Sequence, residues 1–394
     1  MDKQKMIAID KEDESSSSSI PLYAMQLATS SVLPMVLKAT VELGVLDILE
    51  REGPGAMLSP SQIASKIPVR NNPGAHGVLD QMLSLLASHS ILSVSLGKGR
   101  QGDGGCRVYG LAPVAQYFLR NQEGDSLSDL MFMVQDRVMI DFWFHLKDAV
   151  LEGGVPFERA HGMNAVSYLQ KDARFSEIFK NSMKEYNKLF MSKIFDVYKG
   201  FEGLNSLVDV GGGDGSILSM IISKYPHIKA INFDQASVIE KSPSYSGIEY
   251  IAGDMFVSIP KGDAIFIKVS LDNPTTSYCF REVAERVARR KWVLHMFDDE
   301  HCIKILKNCY DALPDNGKVM AVDLVIPEAP EANLAARSLF QMYVFMRNMN
   351  PMGKERTEKE FETLAKEAGF CSIRVAYSAH NFSLVELYKN AKFC

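Results

Sequence analysis

The sequence predicts an α/β protein: a doubly wound, mainly parallel sheet in the C-terminal half, preceded by a mainly helical winged-helix domain. Three observations carry this. From Gly203 onward, short apolar runs alternate with helical segments, at 205–210, 229–233, 248–252, 263–268 and 318–324, with two runs close together at 372–377 and 382–387. The first run passes into Val208-Asp209-Val210-Gly211-Gly212-Gly213-Asp214-Gly215, an acid and clustered glycines leading into a helix expected over 216–225. Upstream, three helical segments and a hairpin follow one another.

Taken in order, residues 1–20 are polar and serine-rich and read as a disordered tail. From 21 to about 52, Leu27, Val32, Leu33, Val36, Leu37, Val41, Leu43, Leu46 and Leu49 recur at helical spacing, with more apolar residues than one buried face requires, which points to a partner helix from another subunit. Ser59-Pro60-Ser61-Gln62 reads as a serine cap with proline in the first turn. A helix over 77–89 and a hairpin over 91–96 and 106–109 complete a winged-helix domain at 21–115. A winged helix can bind DNA, but the expected recognition helix, Gly77-Val78-Leu79-Asp80-Gln81-Met82-Leu83-Ser84-Leu85-Leu86, carries no Lys or Arg, so dimerisation is the better reading. Residues 116–200 read as several aromatic- and Met-rich helices, and 201–394 as the sheet domain.

Composition narrows the function classes. With 394 residues, 46% of them hydrophobic and 23% charged, the chain is an ordinary multidomain globular protein. A net charge of −5 without a dense Lys/Arg block argues against phosphate-neutralising nucleic-acid binding. The six cysteines form no CxxC pair, which reads as free thiols and no zinc site. The charged N-terminus lacks the apolar core of a signal peptide and no segment holds eighteen uninterrupted apolar residues, so a cytoplasmic location without membrane contact is expected.

The glycine turn marks a cofactor site. The second run ends in Asp234, placed to accept hydrogen bonds from a ribose diol. An NAD enzyme would share that feature, but it needs no second acidic strand end such as Gly253-Asp254-Met255, where a carboxylate beside an apolar Met suits an adenine amino group and ring face. The alternating Gly211, Gly213 and Gly215 also depart from the GxGxxG spacing that a pyrophosphate takes. Together these favour S-adenosylmethionine over NAD.

The segments YAMQLATSSVLPMVLKAT, HLKDAVLEGGVPF, GFEGLNSLVDVGGGDG, GDMFVSIPKGDAIFIK, DDEHCIKILKNCYDALPDNGKV and GKERTEKEFETLAKEAGF together resemble the plant small-molecule O-methyltransferases of the caffeic acid and flavonoid type, over about 21–387. The resemblance implies a Rossmann-like S-adenosylmethionine-dependent methyltransferase domain behind an all-α winged-helix dimerisation domain, a homodimer, and a phenolic acceptor methylated without a metal. It implies cofactor contacts at Gly211, Asp234, Asp254, Met255 and Lys268, and a general base at His295 oriented by Asp323 and Glu355. An unperturbed imidazole, with a pKa of about 6.5, suits removal of a phenol proton. The acceptor pocket that it implies comprises Met133, Val134, Phe175, Phe179, Met183, Tyr186, Met342, Phe345, Met346 and Asn350, an apolar slot for a flat ring.

The chain also departs from the family pattern. Where the Lys strand runs directly into Trp and the catalytic segment, 23 residues (291 minus 268) intervene between Lys268 and Trp292. Deleting 269–291 restores the family spacing without a scar, as a retained intron or gene-model error would. The competing reading is a lid helix, with Phe280, Val283 and Val287 on one face. Met296 stands where the family has an acid, Asp323 where it has Glu, and Tyr186 and Val134 where it has His and Asn; Phe297 replaces Trp and Met352 replaces Gly. Reduced polar recognition points to an apolar phenol such as a phenylpropene. The alternative function is a catalytically silent, dimerising relative that retains the cofactor.

Overall fold

The computed structural model describes residues 19–97, 106–121, 124–268, 294–349 and 353–390. The chain divides into two compact units, Met1–Gly124 and Asp125–Cys394. Residues 1–18 and 269–291, for which a tail and an insert were expected, lie outside the described residues, apart from the tail's last two positions, Ser19 and Ile20, which are helical.

The first unit comprises α1 (Ser19–Ala28), α2 (Val32–Glu42), α3 (Val45–Arg51), α4 (Pro60–Ala64), α5 (Ala75–Ser88) and the antiparallel hairpin β1 (Leu92–Leu96) and β2 (Arg107–Leu111). The single apolar stretch expected over 21–52 is thus three helices. Gly44, with φ of 68°, takes the left-handed conformation that separates α2 from α3. The Ser59 cap is present as a full capping box, its Oγ accepting from Gln62 N–H while the Gln62 side chain accepts from Ser59 N–H. Helix α1 buries none of its residues within the unit, although most of them are apolar.

The second unit opens with α6 (Ser128–Val134), α7 (Arg137–Trp143), α8 (Leu146–Glu152), α9 (Pro156–His161), α10 (Ala165–Lys171) and the long α11 (Ala173–Val197). There follow β3 (Ser206–Val210), α12 (Ser216–Lys224), β4 (Lys229–Asp234), α13 (Ala236–Ile239), β5 (Ile248–Ala252) and β6 (Ala264–Lys268). The chain is described again from Leu294, through α14 (Asp299–Ala312), β7 (Lys318–Asp323), β8 (Val325–Ile326), α15 (Leu334–Met349), β9 (Arg356–Thr357), α16 (Glu358–Ala368), β10 (Ser372–Ala379) and β11 (Phe382–Tyr388).

Seven strands form one sheet in the order β10-β11-β7-β6-β3-β4-β5, parallel except for β11, which pairs antiparallel with both β10 and β7. Each expected run became a strand, with boundaries within two residues. The reason is burial on both faces: β6 is buried at all five positions, with Ile265 and Ile267 packing into one core and Ala264 and Phe266 into the other. Helices α14 and α16 cover the first face, α11 and α12 the second. The chain reverses its direction of travel across the sheet between β3 and β6, so this switch point, at the carboxyl ends of the strands, is where a ligand crevice forms. Among the described residues, no single helix is long and apolar enough to cross a membrane.

Candidate active site

A group of buried polar residues of the sheet gathers at those carboxyl ends. Asp209, Asn232, Asp234 and Lys268 are all buried, on the three adjacent strands β6, β3 and β4. Gly211, Gly213 and Gly215 have φ values of 73°, 60° and 83°, left-handed conformations that open the turn. The Gly211 N–H donates to Phe233 O and the Gly213 N–H to Asp234 Oδ2, tying the turn to β4. Asp234 Oδ1 accepts from Gln235 N–H, and Asp254 Oδ1 from Phe256 N–H, so both carboxylates are fixed in direction. Met255 lies in the core beside Phe256, its carbonyl held by Asn308 Nδ2 at 2.7 Å. The structure therefore brings Gly211, Asp234, Asp254, Met255 and Lys268 to one edge of the sheet.

Two residues to which the sequence reading gave no binding role belong to the same rim. Burial, with the nearby Asp234 and Asp214, pushes the Asp209 carboxyl up to about 7, against the opposing pull of Lys268. Asn232 donates from Nδ2 to Gly213 O at 3.0 Å and leaves Oδ1 buried without a partner. A Cβ at Gly212 would overlap that oxygen and come within 2.6 Å of Asp209 Oδ2. An acid-lined rim under a glycine turn, with an apolar Met beside it, fits an adenosine that carries a cationic amino-acid tail.

A second cluster is built by residues far apart in sequence. His295 sits in a 3-10 turn, Leu294–Met296, and is 5% exposed. Its Nδ1 lies 2.9 Å from Glu355 Oε1, so Nδ1 carries the proton and donates it to the carboxylate. That leaves Nε2 as the basic atom, buried and without a partner, like Glu355 Oε2. Burial alone would depress the His295 pKa, but Glu355, by charge and hydrogen bond, and then Asp323 raise it above the ordinary imidazole value. Asp323 closes β7 and accepts from Leu324 N–H at 2.8 Å; burial pushes its carboxyl up to about 6 despite the opposing His295. The three side chains bring ligand-type atoms within 4.8 Å of one another, a span that a divalent cation can bridge. Nδ1, however, is already committed to Glu355, the arrangement of a base with orienting carboxylates.

His295 and Glu355 line a cavity together with Tyr343, Met346, Arg347 and Lys354. Met346 also packs against an aromatic cluster in which Met133, Phe175, Phe179, Met183 and Phe345 are buried, with Val134 and Met342 at its edge. Tyr186 belongs to the adjoining core, in edge contact with Phe190 and near Phe382. Of the residues expected to form the acceptor pocket, these nine lie in two neighbouring clusters, and Asn350 lies outside the described residues, as do Trp292 and Met352.

The family model described as O-methyltransferase domain matches residues 143–289 and 285–371, and that described as O-methyltransferase dimerisation domain matches residues 25–121. Caffeic acid 3-O-methyltransferase of Prunus dulcis is 50% identical over 368 residues, covering 93% of this chain and 94% of the relative. The chain belongs to the plant S-adenosylmethionine-dependent O-methyltransferases. O-methyltransferase 13 of Lophophora williamsii is likewise 50% identical, over 96% of this methyltransferase and 97% of its own length. Among solved structures, human N-acetylserotonin methyltransferase in complex with S-adenosylmethionine shares the fold, with a TM-score of 0.69 at 21% identity over 95% of this chain and 99% of that one. S-adenosylmethionine is the methyl donor of this methyltransferase, and NAD is set aside. The two stretches matched by the domain model meet within 269–291, where the sequence departs from the family spacing.

Proposed function

We propose that this methyltransferase methylates a phenolic hydroxyl of a small aromatic of the phenylpropanoid or flavonoid type, with His295 as general base. The observation that carries the proposal is the imidazole itself: Nδ1 engaged by Glu355, Nε2 buried, basic and unpartnered at a cavity wall. S-adenosylmethionine supplies an electrophilic methyl group. Gly211, Asp234, Asp254, Met255 and Lys268 hold it at the strand ends. Met133, Val134, Phe175, Phe179, Met183, Tyr186, Met342, Phe345, Met346 and Asn350 receive the aromatic ring. Nε2 takes the phenol proton as the oxygen turns nucleophilic, and Glu355, with Asp323 behind it, stabilises the imidazolium that results. The acceptor class is supported by the relatives, whose names include caffeic acid 3-O-methyltransferase. The dimerisation domain supports a homodimer.

A second reading, a silent homologue that binds cofactor and dimerises, is favoured by one specific feature: residues 269–291 stand between Lys268 and the turn that carries His295. A shift of the base by about an ångström is enough to lower the rate roughly a hundredfold. Methyl transfer from labelled S-adenosylmethionine to catechols and phenylpropene phenols, compared between the whole chain and a version lacking 269–291, separates the two. Activity in both makes the segment a tolerated loop, activity only in the shorter chain makes it an artefact or an off-switch, and silence in both selects the second reading. In whichever form is active, His295→Gln lowers kcat by about 10²–10⁴ if the imidazole is the base.

A further inference from the structure

Arg356 is among the largest fully buried side chains of the molecule. A guanidinium is not buried without partners, because the cost of taking it from water is several kcal/mol. Here every partner lies on the segment around His295 or on the residues just before Arg356. Nη1 donates to Leu294 O at 2.6 Å and to Lys354 O at 3.1 Å. Nη2 donates to Phe297 O at 2.8 Å, and Nε and Nη2 together grip Asp299 Oδ1 at 2.9 and 2.7 Å. Thus the residues immediately before and two after the base have their carbonyls tied to one planar group, whose fixed fork of donors a lysine cannot reproduce. The backbone adds a further tie: Lys354 N–H donates to His295 O at 2.8 Å. Glu355, the partner of the imidazole, is the residue next to Arg356 in the chain.

We infer that Arg356 is a positioning residue of the methyl-transfer site, a clamp that fixes the 294–297 turn against the 354–356 segment so that His295 and Glu355 meet. The inference rests on the assignment of His295 as base. Among the described residues, the contacts that fix the turn come from residues C-terminal to 294. Arg356 acts on His295 through charge as well, since its cation opposes protonation of the imidazole. The other groups around the base are Glu355 just before Arg356, Asp323 from β7, and Tyr343, Arg347 and Lys354 across the cavity, with Tyr186 of α11 close enough to feel the Glu355 charge.

The test is titration of His295 in the folded protein, followed by the 13Cε1–H signal of labelled histidine and assigned by its loss in His295→Gln. This readout needs no turnover. Arg356→Lys keeps the charge but loses the fork, so His295 parts from Glu355 and its midpoint moves down in pH; Arg356→Met also removes the opposing cation, so its midpoint lies above that of Arg356→Lys. In the active form both variants lower kcat about 10- to 100-fold, from misplacement of the base, while the Kd for S-adenosylmethionine stays within about threefold. Should Arg356→Met not fold, Asp299→Asn weakens the clamp from its solvent-facing end, and a smaller loss of kcat at unchanged Kd is expected. An unmoved midpoint and an unchanged kcat in Arg356→Lys overturn the inference, as does a loss of cofactor affinity as large as the loss of kcat, which marks a general structural role. Failure of the base assignment looks different: His295→Gln then turns over like the parent, whatever the Arg356 variants do.

Discussion

Glu355 acts on His295 in two ways that a single substitution separates. It fixes the imidazole tautomer through the 2.9 Å bond to Nδ1, and its charge raises the pKa of the ring. With His295 as the proposed base, the reaction needs the neutral ring, so turnover is expected to rise with pH through the His295 midpoint, which lies above the free imidazole value of about 6.5. Glu355→Gln removes the charge that raises this pKa, so the acid limb of the pH–rate profile moves to lower pH. At the same time kcat falls, by about 10- to 100-fold, because the imidazolium loses its counter-ion. A limb that stays put, or that moves to higher pH, would contradict the pairing. His295 and Glu355 are 60 residues apart, and only the match of whole motifs to a family identified them in the sequence. Arg356 gave no signal at all: an arginine in a charged segment reads as solvated, and its burial is decided by the Leu294 and Phe297 carbonyls and by Asp299, 57 residues away. Asp209 and Asn232 were hidden for a related reason, since in a strand buried on both faces polar residues look like exceptions to an apolar run.

The strands were legible because they are short, continuous apolar runs, a pattern that burial on both faces imposes and that local sequence therefore carries. The helices over 21–52 were less so: the periodicity runs through, and the breaks come from the turn at 29–31 and the left-handed Gly44, which leave no gap in the apolar pattern. The short β8–β9 ladder, which leads from the end of β7 to Arg356, could not be anticipated, since two residues carry no period. The glycine turn is the element whose sequence and geometry agree most closely, and it supports a prediction of its own. Gly212 needs no positive φ, unlike its neighbours; what excludes a side chain is the presence of Asn232 Oδ1 and Asp209 Oδ2 where the Cβ would sit. Gly212→Ala forces Asn232 away and loosens its 3.0 Å bond to Gly213 O. Overpacking of this kind costs about 1–3 kcal/mol, and calorimetry should record at least a tenfold weaker Kd for S-adenosylmethionine. An unchanged Kd would mean that the turn does not shape the cofactor site.

Over the whole molecule, the sheet separates chemistry from stability. At the end of β7 and β11 remote from Asp323, Glu386 is fully buried and accepts from Tyr198 Oη, Lys318 Nζ, Arg374 Nε and Tyr388 Oη. Burial alone would raise its pKa, but these donors hold it down at about 2. A carboxylate with a folded pKa below its unfolded value of about 4.3 adds stability that is complete above the unfolded pKa and is lost as pH falls toward the folded one. Glu386→Gln is therefore expected to destabilise the protein by on the order of 2–3 kcal/mol at pH 7, seen as a lower urea midpoint, and the gap to the parent should close between about pH 4 and pH 2. A gap independent of pH would show that packing, and not the charge, is what is lost.

The other whole-molecule feature is the face that the first unit leaves uncovered. In α1, Ile20, Leu22, Met25 and Leu27 are each more than half exposed, and Val32 and Met35 extend the apolar surface into α2. A contiguous apolar patch of this kind is uncommon on a monomer, and a stable interface buries about 800 Å² on each partner. From Met25 onward the patch falls within the matched dimerisation domain, so a second copy of the chain is the occupant expected. Light scattering coupled to gel filtration should return twice the chain mass at micromolar concentration. Leu22→Asp combined with Met25→Asp places two charges on a helix that buries nothing within its own unit, so the fold should survive, with an unchanged far-ultraviolet circular dichroism spectrum, while the particle mass halves. A monomeric parent, or a variant that remains dimeric, would move the interface elsewhere and leave the exposed face of α1 without its partner.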